Sequence, residues 1–204
     1  MIMQPLISTL HICKSAHQKM IYPIIAYGDP VLKKRASEIP KDYPKLQELI
    51  ADMFETMNAS RGVGLAAPQI GLSIRLFVTN GGAFDDEEEV KNFKEVFINP
   101  AIKEEEGELW KFNEGCLSIP KIREDVQRQE VVHIEYYDAE WKRHKKTFTG
   151  LAARIIQHEY DHIEGILFVD RISPLRKRVI KNKLTDISKG LVDVDYKMKF
   201  PIKK

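Results

Sequence analysis

The segment between Thr149 and Gly165 most strongly constrains how this chain can fold. Thr149 is suited to cap the start of a helix and Gly165 to follow its end, so the segment predicts a helix. Four of its residues are spaced four, three and four apart and therefore share one face: Leu151, Ile155, His158 and His162. The two imidazoles lie about one turn apart, which allows them to chelate a single metal ion.

Glu159 directly follows His158 and points about 100° away from it around the helix axis. Its carboxylate is therefore expected to lie near a water on the metal, where it can act as a base. A five-residue pattern of this kind also arises by chance, with histidines that belong to a core or a surface. The pattern alone favours the two interpretations about equally.

A catalytic metal site needs a third protein ligand and an open position for water. Metzincin proteases carry a third histidine six residues beyond the second, but here that residue is Phe168, and no Glu follows Glu164. Apart from a few Asp residues, the remaining candidates lie upstream. Cys116 is the only thiol beyond the first nineteen residues. The alternative for a lone cysteine among apolar residues is an inert buried thiol.

Two further helices are predicted from apolar residues that recur at intervals of three and four. One covers residues 44–57, and the other runs from residue 173 to about 189, with Gly190 as its stop. The apolar face of the last helix is expected to contain four residues: Leu175, Val179, Leu184 and Ile187.

Four short runs rich in β-branched and aromatic residues are typical of strands: 73–79, 96–98, 131–137 and 145–148. Asn99 and Pro100 are expected to end the second run, and the last two should form an antiparallel pair. Strands and helices come in separate runs, which predicts an α+β fold. We expect mostly antiparallel sheets around a central metal-binding helix, with a C-terminal helix.

The length of 204 residues and the hydrophobic content of 43% are enough for one core, so we expect residues 20–204 to form a single catalytic domain. Residues 1–19 are expected to be a poorly ordered N-terminal extension or a cloning remnant. No window approaches the ~18 consecutive apolar residues of a membrane span, so no membrane contact is expected. Two cysteines, Cys13 and Cys116, suit a reducing cytoplasm.

Three segments together resemble peptide deformylases of the bacterial type. They are residues 62–69 (Gly-Val-Gly-Leu-Ala-Ala-Pro-Gln), 114–118 (Glu-Gly-Cys-Leu-Ser) and 158–162 (His-Glu-Tyr-Asp-His). Each is a weak signal alone, but three in this order and at compatible spacing are specific. The sequence from about residue 21 to 183 is similar to the same family. The resemblance implies a metal-dependent hydrolase that removes the N-formyl group from the formyl-methionine of newly synthesised polypeptides and releases formate.

The resemblance also implies the chemistry of individual residues. The metal, iron as Fe²⁺ with Zn²⁺ or Ni²⁺ as replacements, would bind three ligands: Cys116, His158 and His162. The metal lowers the pKa of its water, and Glu159 takes the water's proton and returns it to the leaving amine. The Gln69 side-chain amide and the Leu117 backbone N–H are implied as donors to the oxyanion.

Substrate contacts are implied in the same way. Gly62 and Gly64 would let a peptide backbone lie close to the chain, although a Gly-x-Gly segment is also ordinary in a tight turn. Arg123 would lie near the substrate backbone. A pocket for the methionine side chain would be bounded by six residues: Val63, Glu114, Gly115, Leu151, Ile155 and His158.

Two other functions could use the same ligands. One is a protease or amidase acting on other substrates, which turnover of formyl-Met-Ala against acetyl-Met-Ala and an internal peptide would separate. The other is a non-catalytic binding module with structural zinc. Glu159 disfavours the second function, and so does the set of three ligands, because structural zinc usually has four.

The net charge of +2 conceals a basic C-terminal segment. From Arg171 onward, eleven Lys and Arg residues stand against three Asp residues, a net charge of +8. A solvated helix face with a loose terminus is the simpler interpretation. The functional alternative, which follows the resemblance, is a contact with ribosomal RNA where N-formyl-methionyl nascent peptides emerge. We expect a monomer.

Overall fold

A computed structural model describes residues 19–83 and 90–201 of the chain. Within these residues it has three helices: α1 (Leu46–Ala59), α2 (Gly150–Ile163) and α3 (Pro174–Ser188). Its strands are β1 (Ile24–Ile25), β2 (Gly64–Ala66), β3 (Leu76–Asn80), β4 (Lys94–Cys116), β5 (Ile119–Tyr137), β6 (Arg143–Thr149) and β7 (Met198–Lys199). The N-terminal extension, except for residue 19, lies outside the described residues.

Five strands form one antiparallel sheet in the order β2-β3-β4-β5-β6. β4 and β5 make a long hairpin that closes where Cys116 pairs with Ile119. β5 and β6 form the antiparallel pair predicted for residues 131–137 and 145–148. β1 and β7 pair separately and in parallel, with Ile24 opposite Met198. The predicted α+β fold with mostly antiparallel sheets is confirmed.

The predicted end of a strand at Asn99 and Pro100 is wrong, because β4 continues through both residues. Asn99 has a φ of 48°, and the register with β5 shifts between Ile98 and Ala101. A bulge accommodates proline, which has no N–H to donate to a neighbouring strand. The strand therefore continues past the proline to Cys116.

α2 packs on the sheet with its apolar face buried. Its Ala153, Ile156 and Ile163 belong to one core cluster with Phe77 of β3 and Phe97 of β4. The two phenyl rings stack with centroids 4.5 Å apart. The helix begins after Thr149 and ends before Gly165, as predicted.

α1 begins at Leu46, two residues later than the predicted start at Pro44. Lys45 has a φ of 55°, which interrupts the helical geometry directly before Leu46. The inner face of α1 packs into the core cluster that also contains Leu65 and Val78.

α3 follows Ser173 as predicted, and the Ser173 hydroxyl accepts a hydrogen bond from the Arg176 N–H. The prediction of its apolar face is wrong for two of the four residues, because Leu175 and Val179 are 69% and 60% exposed. The buried residues are instead spaced four and three apart: Ile180, Leu184 and Ile187. These three positions share one face of a helix, whereas Leu175 and Val179 lie off it.

Residues 191–200, here called the C-terminal strap, pack against the domain after α3. Every second side chain is partly buried: Val192, Val194, Tyr196, Met198 and Phe200. β7 lies in this strap and pairs with β1. The interpretation of the basic C-terminal segment as a loose terminus is therefore wrong for residues 191–200.

In the part of the chain that the structure describes, no helix is long and apolar enough to cross a membrane.

Val179 and Ile180 are adjacent on α3 and form a matched pair for a stability test. Ile180→Ala should lower the free energy of unfolding by about 2–5 kcal/mol, because it leaves a cavity in the core. Val179→Ala should change it by at most about 0.5 kcal/mol, because the side chain is exposed. Urea unfolding at one fixed metal concentration measures both values. Equal losses would contradict the orientation of α3.

Candidate metal centre and active site

Cys116, His158 and His162 are brought together by the contact between the β4–β5 hairpin and α2. Their ligand atoms all lie within 4.8 Å of one another. The Cys116 Sγ is 3.3 Å from the His162 Nε2, and the two imidazole centroids are 5.1 Å apart. One thiol and two imidazoles at this spacing suit a divalent transition metal with one coordination position left open.

The two imidazoles titrate differently. Burial, followed by the nearby His158, lowers the pKa of His162 well below its ordinary value, which keeps this imidazole neutral and able to ligate. Burial also acts to lower the pKa of His158, but hydrogen bonds with Cys116 and Glu114 outweigh it and raise the pKa. A metal ligates only the neutral form of an imidazole.

Glu114 orients His158 through a buried carboxylate that accepts four hydrogen bonds. The His158 Nδ1 donates at 2.8 Å, Arg128 donates twice at 2.7 and 2.9 Å, and Arg154 donates at 3.0 Å. Burial alone would raise the pKa of Glu114, but hydrogen bonds from Arg128 and His158 hold it well below its usual range. Because Nδ1 faces Glu114, the His158 Nε2 is the nitrogen available to a metal.

The same network continues to Asp161 and Arg171. Asp161 accepts a hydrogen bond from the Arg128 Nη1 at 2.6 Å and pairs with Arg171 just before α3. Neither Arg128 nor Asp161 was among the site residues predicted from the sequence. The sequence carried a signal for Arg128, because Ile122 and Val126 stand at even spacing before it and indicate the inward face of a strand.

Glu159 is buried beside β2. Burial is the largest cause that raises the pKa of its carboxyl, to about 7. Its Oε2 has no hydrogen-bond partner among the described residues. A Cβ atom on Gly64 would lie 2.3 Å from the Glu159 Oε1, so only glycine leaves room for the carboxylate. This close approach supports the interpretation that Gly64 serves tight packing. A contact between Gly64 and the substrate is a separate prediction.

Gln69 is held in one orientation by its own backbone turn. Its Oε1 accepts a hydrogen bond from the Ala66 N–H at 2.8 Å. The Nε2 is therefore the end that faces the site, 3.4 Å from the Cys116 Sγ and 3.5 Å from the Ser118 Oγ. Leu117 lies between these two residues at the tip of the hairpin.

A groove of about 890 Å³ is lined by two of the three ligand residues, Cys116 and His158, and its volume lies within the size range of ligand sites. All eight residues predicted to contact substrate line it: Gly62, Val63, Gly64, Glu114, Gly115, Arg123, Leu151 and Ile155. Glu159, Gln69 and Leu117 also line the groove. Residues 193–196 of the C-terminal strap form part of its wall, and none of them was predicted from the sequence as a site residue.

Arg123 is fixed at the edge of the groove by the neighbouring strand. Its Nε donates to the Asn113 Oδ1 at 2.9 Å, and its Nη2 donates to the Asn113 carbonyl oxygen. A Cβ on Gly115 would lie 2.9 Å from the Arg123 Nη1. Arg123 thus presents a positive charge to the groove in a defined position.

The sequence matches a known family over most of its length. The sequence model of the family described as polypeptide deformylase matches residues 21–178. A peptide deformylase from Christiangramia forsetii is 60% identical over 190 residues, which cover 89% of this chain and 97% of that protein. A peptide deformylase from Cytophaga hutchinsonii is 56% identical over 185 residues, which cover 91% of this chain and 100% of that protein.

Solved structures show the same fold. A peptide deformylase from Legionella pneumophila has a TM-score of 0.74 at 40% identity and covers 84% of this chain and 98% of that chain. The peptide deformylase from Thermotoga maritima has a TM-score of 0.69 at 41% identity, and the match covers 76% of this chain and 99% of that chain.

The orienting role of Glu114 predicts the effect of Glu114→Gln. The change leaves Arg128 and Arg154 without their buried carboxylate, so stability should fall by about 3–5 kcal/mol. Metal affinity should fall by about 10–100-fold, because His158 loses the group that fixes its ring. Chelator competition and urea unfolding measure the two effects.

Glu124→Gln is the matched control, because Glu124 lies directly opposite Glu114 on β5. Glu124 pairs with Arg176, whose side chain is 54% exposed, and it is not part of the His158 network. The control should keep its metal affinity. An equal loss of affinity in both variants would show that Glu114 does not act through His158.

Proposed function

This chain belongs to the polypeptide deformylase family, and we propose that its groove removes the N-formyl group from the formyl-methionine of newly synthesised polypeptides and releases formate. Membership makes the chain a metal-dependent hydrolase. The observation that carries the proposal is the convergence of Cys116, His158 and His162 at the groove that the buried Glu159 also lines.

We infer that Cys116, His158 and His162 hold one divalent ion. The set of one thiolate and two imidazoles suits Fe²⁺, Zn²⁺ and Ni²⁺ and does not choose among them. The family resemblance favours Fe²⁺ as the ion in the cell, with the other two as replacements. When bound, such an ion supplies a Lewis acid and a water that ionises near neutral pH.

Glu159 is proposed as the group that moves protons. Its pKa of about 7 allows the carboxyl to accept and donate a proton near neutral pH. In this proposal Glu159 takes a proton from the attacking water and gives it to the leaving amine of methionine. Close packing against Gly64 restricts the positions open to the carboxyl.

Gln69 and Leu117 are proposed as the oxyanion donors. The bond from the Ala66 N–H to the Gln69 Oε1 turns the amide Nε2 toward Cys116. The Leu117 N–H directly follows Cys116 in the chain. Donors fixed before the reaction stabilise developing negative charge without reorganisation, which is the basis of their effect on the rate.

The groove walls are proposed to select formyl-methionine. Val63, Leu151 and Ile155 offer an apolar surface that suits the thioether side chain. Gly62 and Arg123 line the same groove, and the Arg123 guanidinium, held by Asn113, is proposed to lie near the substrate backbone. We propose that the enzyme acts as a monomer in the cytoplasm, where newly synthesised chains appear.

Glu159→Gln tests the proton-transfer role. The substitution preserves size but removes the acid and base, so kcat for formate release from formyl-Met-Ala should fall by about 10²–10⁴-fold. Metal content should be unchanged, because Glu159 is not one of the three ligands. Formate release by metal-replete protein, with metal analysis of the same sample, measures both.

The same assay tests the substrate. The unmodified enzyme should turn over formyl-Met-Ala and leave acetyl-Met-Ala and an internal peptide essentially intact. Comparable turnover of all three would replace the proposed function with a general amidase. Substantial activity in metal-replete Glu159→Gln protein would remove Glu159 from the mechanism.

We further propose that α3 contacts ribosomal RNA. Arg178, Lys181 and Lys183 are exposed on this helix, within the segment of net charge +8. A cluster of exposed cations attracts a phosphate backbone, and the attraction weakens as salt rises.

Charge reversal tests the ribosome contact. Arg178→Glu combined with Lys181→Glu should weaken co-sedimentation with ribosomes. The slope of the logarithm of the binding constant against the logarithm of the salt concentration should become shallower by about one for each phosphate contact that is lost. Lys41→Glu combined with Lys142→Glu is the control, since both lysines are exposed on other segments. Equal binding by both double variants, or binding insensitive to salt, would contradict the proposal.

A further inference from the structure

Tyr196 of the C-terminal strap touches the turn that carries Leu117. Its hydroxyl donates a hydrogen bond to the Leu117 carbonyl oxygen at 2.8 Å, across 79 residues of sequence. The family match ends at residue 178, so Tyr196 lies beyond it. Tyr196 also lines the groove.

The turn at Leu117 is held from several sides. On one side, Cys116 pairs with Ile119 and closes the hairpin. On the other, the Tyr27 N–H donates to the Ser118 carbonyl oxygen at 2.9 Å. The bond from Tyr196 fixes the peptide group between Leu117 and Ser118. With the groups on both sides fixed, Leu117 has little freedom to rotate its own N–H.

The strap itself is fixed where it passes the groove. Asp195, next to Tyr196, forms an ion pair with Arg61 at 2.8 Å, and Arg61 precedes the glycine that touches the Leu117 side chain. A Cβ at Gly62 would lie 2.9 Å from the Leu117 Cδ1. The ion pair is exposed and contributes little stability. Its position nevertheless links the strap to the segment before β2.

We propose that Tyr196 is a positioning residue for catalysis: its hydroxyl holds the peptide after Leu117 and so keeps the Leu117 N–H aimed at the reacting carbonyl oxygen. This inference rests on the proposed role of the Leu117 N–H as an oxyanion donor. An oxyanion donor contributes only when its direction is fixed before the charge develops. The strap thus takes part in the reaction without touching the reacting atoms.

Tyr196→Phe removes the hydroxyl and keeps the ring. For the metal-loaded enzyme, kcat should fall by about three- to tenfold, the rate equivalent of one neutral hydrogen bond. KM should stay unchanged, because the lost effect belongs to the transition state. The loss should be the same for formyl-Met-Ala and for a longer formylated peptide, since both develop the same oxyanion.

A second measurement does not depend on activity. In the Zn²⁺-loaded protein, ¹⁵N order parameters of the Leu117 and Ser118 amides should fall below the rigid value of about 0.85 in Tyr196→Phe. Tyr43→Phe is the matched control, because Tyr43 packs against the same core cluster and does not line the groove. The control should leave kcat and the order parameters unchanged.

Three results would overturn parts of this assignment and are distinguishable. Unchanged kcat in Tyr196→Phe would remove its positioning role. A rise in KM that grows with peptide length, at constant kcat, would make the strap a binding wall instead. If the unmodified enzyme releases no formate while the order parameters fall in Tyr196→Phe, the proposed function fails although Tyr196 does hold the turn.

Discussion

The buried carboxylate of Glu114 is the interaction on which the rest of the site depends. It joins β4 to β5 through Arg128 and to α2 through Arg154 and His158. A buried carboxylate is stable only when its charge is paired and its oxygens are hydrogen-bonded, which these donors achieve. The contact therefore sets both the position of α2 on the hairpin and the orientation of a metal-ligating imidazole.

Close packing around that contact explains the small residues near the groove. Gly64 lies against the carboxylate of Glu159, and Gly62 lies against the Leu117 side chain. Both contacts are too close for a Cβ atom. The glycines allow the segment around β2 to approach the helix and the hairpin tip together, which buries Glu159 and raises its pKa.

The C-terminal strap forms one wall of the groove, and nothing in the sequence of the other groove segments indicates that wall. Apolar and polar residues alternate from Val192 to Phe200, and β7 anchors the segment to β1. The alternation is a strand pattern that was present in the sequence and was missed. Its consequence for the site is the contact from Tyr196 to Leu117, which no periodicity could reveal.

The sequence by itself determined the features that depend on near neighbours. The spacing of His158 and His162, the ends of α2 and the α+β class follow from helical and strand periodicity. The tertiary structure decided that β4 passes through Pro100, that Val179 faces solvent, and that Arg128 completes a buried network. These outcomes depend on residues far apart in the chain, whose contacts and burial are fixed only when the sheet, α2 and the strap pack together.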